Sequence, residues 1–94
     1  MRKLKLRFEP GEITATPGAL DAFVEAGESP VDYLLRHLSG DWGALDEEDK
    51  RENERAVKDG SRMLSAYNIG QSLRVRVITE ADRSATTFLL PDEY

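Results

Sequence analysis

The fold is predicted mainly from residues 61–90, SRMLSAYNIGQSLRVRVITEADRSATTFLL. Three segments of it, residues 63–68, 73–79 and 85–90, are predicted strands, and the alternation of apolar and polar residues is clearest in the second. A period of two is typical of β-strands that bury one face of a sheet. The two links between these segments, one carrying Gly70 and the other spanning residues 80–84, are short enough for hairpin turns. The stretch therefore predicts a three-stranded antiparallel meander.

A second alternating segment, near the N-terminus, predicts a hairpin. In residues 3–8, leucine and phenylalanine alternate with lysine and arginine. This pattern indicates a half-buried strand with a basic face toward solvent. Pro10 and Gly11 then form a predicted turn, and residues 12–15 form a short return strand.

Three helix starts lie between the hairpin and the meander. Thr16 and Ser29 each precede a proline, the residue favoured at the first helical position, and Asp46 precedes an acidic first turn. Gly27 and Gly60 indicate helix ends. The apolar residues expected to face the core are Leu20, Phe23 and Val24 in the first helix and Val31, Leu34, Leu35 and Leu38 in the second.

Together these elements predict an α+β fold with a single domain, residues 1–94. A small antiparallel sheet, made of the N-terminal hairpin and the C-terminal meander, packs against about three helices. The absence of cysteine excludes a disulfide framework, a zinc–thiolate site and a thiolate nucleophile. No apolar run approaches the ~20 residues of a membrane span, and no signal-peptide pattern follows the basic N-terminus. We therefore expect a cytoplasmic protein that needs neither a metal nor an organic cofactor.

The charge is unevenly distributed, with a net charge of −5. Residues 1–8 carry four bases and no acid, whereas residues 9–61 carry fourteen acids and five bases. Nucleic-acid binding needs several cations on one face, so the acidic balance favours a protein partner. A nucleic-acid contact would be local, for example through Arg74 and Arg76 on one face of their strand.

His37 and Trp42 each allow a functional and a structural interpretation. His37, the only histidine, is either a general acid–base or a helix C-terminal residue that bonds the last carbonyls. Trp42 lies next to Asp41 in a glycine-flanked loop. It is either an exposed platform on which a base or side chain stacks, or a side chain packed at the edge of the core whose indole N–H bonds to the backbone.

The turn around residues 79–87 is the densest in reactive groups. Arg83 could hold a phosphate or carboxylate, with the hydroxyls of Ser84, Thr86 and Thr87 completing the cradle. Alternatively, Asp82 and Ser84 make ordinary side-chain turns, and Arg83 pairs with Glu80.

Three motifs together resemble a small bacterial family of hypothetical proteins that are often carried on plasmids and other mobile elements. They are HLSGDWG at residues 37–43, NERAVKDGSRMLSAY at residues 53–67 and ITEADRSATTFLLPDEY at residues 78–94. The segment at residues 16–27 fits the same family, so the resemblance covers nearly the whole chain. It implies a stand-alone accessory protein of bacterial mobile DNA and carries no catalytic mechanism.

Two functions follow as hypotheses. The first is a non-enzymatic binding or regulatory module that engages another protein, or alternatively nucleic acid, through residues 78–91 and the Trp42 loop, with Asp41, Arg83 and Ser84 as further contacts. The second is a small metal-independent ribonuclease, because helices followed by a meander is the layout of barnase-like and RelE-like enzymes. Its candidate catalytic residues are His37, Tyr67, Arg83, Thr86 and Thr87.

Overall fold

A computed structural model describes residues 5–93 of the chain. One strand is followed along the chain by three helices and then by three further strands. They are β1 (Glu12–Ala15), α1 (Pro17–Ala26), α2 (Pro30–Leu38), α3 (Glu47–Asp59), β2 (Met63–Ile69), β3 (Leu73–Thr79) and β4 (Ala85–Leu89), followed by a short 3₁₀ turn (Pro91–Glu93). The predicted α+β class is confirmed.

The four strands form one sheet in the order β1-β4-β3-β2. The antiparallel pairs β2–β3 and β3–β4 confirm the predicted meander. β1 lies parallel to β4, with Ile13 opposite Thr86 and Ala15 opposite Phe88. The sheet is therefore mixed, and the prediction of a purely antiparallel sheet is wrong.

The predicted N-terminal hairpin is also wrong. Residues 3 and 4 lie outside the described part of the chain, and residues 5–8 form no strand. The backbone N–H of Arg7 donates instead to the Leu38 carbonyl at the end of α2, at 2.8 Å. The ring of Phe8 stacks on Trp42 with 6.2 Å between centroids. Packing of this segment against the helices keeps it away from β1, which pairs with β4 instead.

The predicted helix ends agree with the structure. The hydroxyl of Thr16 accepts from the backbone of Ala19, and Ser29 and Asp46 cap the next two helices in the same way. Gly27 and Gly60 end α1 and α3 in the left-handed conformation that favours glycine.

The predicted apolar faces of the first two helices are partly wrong. Leu20 is 48% exposed, Val24 is 80% exposed and Val31 is 56% exposed. In α1, Ala19, Ala22 and Phe23 are buried instead. Both sets in α1 have helical spacing, and they differ by a rotation of one residue. Ala19 and Ala22 face the sheet together with Phe23, and this leaves Leu20 and Val24 on the outside.

The core consists of two clusters. The larger lies between α1, α2 and the sheet and contains Phe23, Tyr33, Tyr67, Val75, Val77 and Phe88 among its buried residues. The smaller lies under α3 and contains Trp42, Ala56 and Met63, with Phe8 packed against it. His37 contacts the rings of Phe8 and Trp42 edge-on.

Candidate functional site

A fully buried histidine joins the helices to the sheet. His37, in the last turn of α2, has no exposed surface. Its Nδ1 lies 2.5 Å from the Ser65 hydroxyl of β2, and its Nε2 lies 2.9 Å from the Thr79 hydroxyl of β3. The Thr79 hydroxyl bonds that of Thr86 in β4, which donates to the Pro10 carbonyl, both at 2.7 Å. These side chains form a buried polar network, defined as His37, Ser65, Thr79 and Thr86.

The direction of each hydrogen bond in the buried polar network follows from its last acceptor. The Pro10 carbonyl can only accept, so Thr86 uses its one hydroxyl proton there and accepts from Thr79. Thr79 has then used its own proton, so Nε2 of His37 donates to it. Burial lowers the pKa of His37 from 6.5 to about 4, so the ring is neutral at pH 7 and Nδ1 accepts from Ser65. Every polar atom of the ring therefore has a protein partner, and the predicted bonds to helix carbonyls are wrong.

Acid is expected to destabilise the protein through His37. Its pKa of about 4 in the folded state lies below the ordinary value of 6.5, so the unfolded chain binds more protons between these two pH values. The contribution is fully present above pH 6.5 and is lost as the pH falls to 4, by about 3 kcal/mol. Urea unfolding at a series of pH values measures this loss. In a His37→Gln variant, this component of the pH dependence should be absent; an unchanged slope between pH 4 and 6.5 would contradict the assignment.

Arg83 is bound to the backbone rather than open to a ligand. Its φ of 59° is the only positive value at a non-glycine residue among residues 5–93. Its Nη1 and Nη2 together donate to the carbonyls of Ser61, Glu80, Ala81 and Ala56, at 2.8, 3.2, 3.0 and 3.0 Å. The predicted pairing with Glu80 therefore involves the Glu80 carbonyl, not its carboxylate. The bonds to Ala56 and Ser61 join the β3–β4 turn to the C-terminal end of α3, and the bonds to Glu80 and Ala81 lie within the turn.

Trp42 is buried at the core edge and is not an exposed platform. It is 4% exposed, and its indole N–H donates to Oε2 of Glu54 at 2.9 Å, not to backbone as predicted. The Glu54 carboxylate also accepts two hydrogen bonds from Arg7. These bonds, first from Arg7 and then from Trp42, lower the pKa of Glu54 to about 2. Neighbouring Asp41 is exposed and pairs with Arg36 at 2.7 Å.

The other predicted site residues also have protein partners. Tyr67 is 1% exposed and donates to the Asp41 carbonyl at 2.6 Å, and burial raises the pKa of its hydroxyl. The hydroxyls of Thr87 and Thr14 lie 2.7 Å apart on the face of the sheet away from the helices. The backbone N–H of Ser84 donates to Asp82 at 3.0 Å, as the predicted side-chain turn requires.

The predicted residues therefore do not converge on an open site. His37, Tyr67 and Thr86 are inside the protein, where each is at most 1% exposed. Arg83 contacts the ring of Phe8, which also contacts His37, so an apolar side chain occupies the region where these two residues approach. The basic strand face has mixed charge, because Arg74 and Arg76 share a groove with Asp49 and Glu52.

The outer edge of β2 is closed by two segments. Asn53 of α3 is buried, and its side chain donates to the Leu64 carbonyl at 2.7 Å and accepts from the Leu64 N–H at 3.1 Å. In the loop after α2, the Trp42 carbonyl and the Ala44 N–H bond the backbone of Ala66, at 3.2 and 2.7 Å. A Cβ at Gly43 would lie 2.0 Å from the Ala66 carbonyl oxygen, so this loop needs glycine there.

Within residues 5–93, no strand or loop is bonded to the outer edge of β1. The N–H of Glu12 donates to the Ser84 carbonyl at 2.9 Å, and the N–H of Thr16 donates to the Phe88 carbonyl at 3.0 Å. Alternate residues of a parallel strand bond to the same neighbour. Ile13 therefore points its N–H and C=O away from β4, and Ala15 does the same. Unpaired groups of this kind are a template for another strand.

An apolar groove of about 320 Å³ lies beside this open edge, between β1 and the first two helices. Ile13, Leu20 and Val31 are each about half exposed along it. We call the open edge of β1 and this groove the edge groove; its lining residues are Ile13, Thr14, Ala15, Leu20, Pro30, Val31, Leu34 and Phe88.

The surroundings of the edge groove are acidic. Residues 8–35, which include β1, α1 and the start of α2, contain six acids and no lysine or arginine. The four ion pairs Arg7–Glu54, Arg36–Asp41, Lys50–Glu47 and Arg55–Glu52 involve none of these six. The six acids are Glu9, Glu12, Asp21, Glu25, Glu28 and Asp32.

Sequence reasoning missed both the partners of His37 and the edge groove. Ser65 and Thr79 occupy inward positions of their strands, and a polar residue at such a position is a signal that could have been used. Leu20 and Val31 carried no such signal, because their helical spacing is that of a buried face.

No helix within residues 5–93 has the length and apolar character needed to cross a membrane. In the same residues, no group of three or more His, Asp or Glu side chains could hold a metal ion. Comparison with protein-family models, with curated proteins and with solved structures found nothing similar to the chain.

Proposed function

We propose that this protein is a non-enzymatic binding module that takes an extended segment of a protein partner as an added strand on β1. The observation that carries the proposal is the asymmetry of the sheet edges. β2 is closed by Asn53 and the loop at residues 42–44, whereas the outward backbone groups of Ile13 and Ala15 on β1 have no partner among residues 5–93. Natural proteins usually protect such edges, so an open one beside an apolar groove favours strand addition.

The edge groove supplies the two components of this kind of recognition. Main-chain hydrogen bonds to Ile13 and Ala15 would supply affinity, and pockets for alternate side chains would supply specificity. Because Ile13 points toward the helices, an added strand in register would place every second side chain over Leu20 and Val31. This surface replaces residues 78–91 and the Trp42 loop as our proposed contact region, since Trp42 and Thr86 are buried.

The ribonuclease hypothesis has no comparable support. General acid–base catalysis requires a side chain within hydrogen-bond reach of the substrate. His37 has no exposed surface and both of its nitrogens are bonded, while Arg83 is bound to four backbone carbonyls. A phosphate would have to displace core contacts to reach His37, and to displace backbone carbonyls to bind Arg83.

We further propose that the module acts in the bacterial cytoplasm as an accessory protein of mobile DNA. The resemblance of residues 37–43, 53–67 and 78–94 to a family carried on plasmids supports this context. The acidic balance of the chain, with a net charge of −5, supports a protein partner over nucleic acid.

A charge-unbiased library of displayed random dodecapeptides tests the binding function. We expect enriched peptides that shift the NMR amide signals of Ile13 and Ala15. An Ile13→Pro variant should weaken binding at least about tenfold, because it removes an outward donor without breaking the ladder to β4. Ile13→Val keeps the donor and should bind within about twofold.

The apolar groove is tested by a matched pair on α1. Leu20 lines the edge groove, whereas Val24 is exposed on the same helix and lies outside its lining. Leu20→Gln should weaken the enriched peptides about tenfold, and Val24→Gln should leave them unchanged. The proposal would be refuted if the enriched peptides bound Leu20→Gln, Val24→Gln and Ile13→Pro as tightly as they bind the original chain.

A further inference from the structure

We infer that the segment accepted by the edge groove is basic, with lysine or arginine alternating with apolar residues along an extended strand. This inference rests on the proposed function, since it names the chemistry of the partner at the same site. It commits to a protein partner whose charges complement the surface around β1 and whose apolar side chains enter the groove.

Charge complementarity is the first reason. Residues 8–35 surround the edge groove with six acids and no base. Glu12 is exposed on β1 itself, Asp21 is exposed next to Leu20, and Asp32 is exposed next to Val31. The ion pairs Arg7–Glu54, Arg36–Asp41, Lys50–Glu47 and Arg55–Glu52 leave these carboxylates out. An approaching basic segment would be attracted, and an acidic one repelled.

The period of the sheet is the second reason. Successive side chains of an added strand point to opposite faces, so one set lies over the groove and the other lies on the far face of β1. The groove side is apolar, through Ile13, Leu20 and Val31. The far face presents the polar side chains Glu12 and Thr14. Apolar residues therefore suit one set of positions, and lysine or arginine suits the other.

The same charges disfavour direct pairing of two β1 strands from two copies. Such a pairing would bring Glu12 of one copy close to the β1 strand of the other. The charged residues of the segment 8–35 are all acidic in both copies. Like charges across a strand pair are destabilising. A second copy joined edge to edge is therefore not the occupant that we infer.

Binding of three blocked heptapeptides to the full chain tests the inference. The probes are an alternating basic peptide (KVKVKVK), its acidic counterpart (EVEVEVE) and a block peptide of the basic composition (KKKKVVV). We expect the first to bind at least about tenfold more tightly than either of the others. Its affinity should fall when the salt rises from about 0.1 M to about 1 M, because the Debye length shrinks from about 10 Å to about 3 Å.

Matched charge variants localise the effect. Asp21→Asn combined with Asp32→Asn should weaken the alternating basic peptide about fivefold, or roughly 1 kcal/mol. Glu48→Gln combined with Glu80→Gln changes the net charge equally at exposed acids elsewhere, and should change binding by less than about twofold.

The outcomes separate this inference from the proposed function. Equal binding of the basic and acidic peptides through Ile13 and Ala15 would overturn the inferred partner chemistry while supporting strand addition. Failure of these peptides and of all library peptides to perturb β1 would overturn both. Self-association of the chain with protected Ile13 and Ala15 amides would show that a second copy occupies the edge groove, and would overturn the basic partner.

Discussion

Replacing His37 with alanine is expected to lower the free energy of unfolding by about 4 kcal/mol. The substitution leaves a cavity at a site with no exposed surface. It also removes the acceptor of Ser65 and the donor to Thr79, so two buried hydroxyls lose a partner. Denaturant unfolding followed by the fluorescence of Trp42, which contacts the His37 ring, measures the loss.

A conservative variant separates hydrogen bonding from packing at this position. In His37→Gln, the side-chain amide can still donate to Thr79, so we expect about half of the loss seen with alanine. A loss below about 1 kcal/mol for His37→Ala would contradict the structural role of the buried polar network.

Replacing Arg83 with alanine is expected to cost about 3 kcal/mol of stability. Two of the four hydrogen bonds from its guanidinium, to Ala56 and Ser61, join the β3–β4 turn to residues at and after the end of α3, and the other two lie within the turn. Three of the four are exposed, so each is worth less than a buried bond to a charged group. Alanine would also remain in the left-handed backbone conformation that Arg83 adopts, with a φ of 59°. Urea unfolding of both proteins measures the difference.

Arg83→Gly is the control that isolates the backbone conformation. Glycine loses the same hydrogen bonds but adopts a positive φ without steric cost, so this variant should be more stable than Arg83→Ala by about 1 kcal/mol. Equal stability of the two variants would show that the turn changes its conformation once the guanidinium is gone. If Arg83→Ala were about as stable as the original chain, the hydrogen bonds of Arg83 would not stabilise the contact between the β3–β4 turn and α3.

These two residues illustrate why chemically suggestive side chains can be misassigned from a sequence. A histidine, an arginine and several hydroxyls near one another in a fold are also what a polar connection through a small core requires. Only burial and hydrogen-bond partners distinguish the two cases. Here Ser65 and Thr79 use both nitrogens of His37, and backbone carbonyls occupy Arg83.

The sequence by itself determined the local structure of this protein. The period of two in residues 63–89 predicted β2, β3 and β4, because side chains of a strand alternate between core and solvent. Thr16, Ser29 and Asp46 predicted the starts of the helices, because a side-chain oxygen at that position satisfies a free backbone N–H. These signals act within a few residues and need no knowledge of the rest of the chain.

The tertiary structure alone decided which strand pairs with β1 and which apolar residues stay exposed. The alternation in residues 3–8 is compatible with a hairpin, but the contacts of Arg7 with Leu38 and of Phe8 with Trp42 hold that segment elsewhere. Likewise, two faces of α1 have helical spacing, and packing against the sheet selects the one with Ala19 and Ala22. Such choices depend on competition between contacts far apart in the sequence. The edge groove exists because β1 is the last strand of the sheet and pairs only with β4. No local sequence pattern predicts that position.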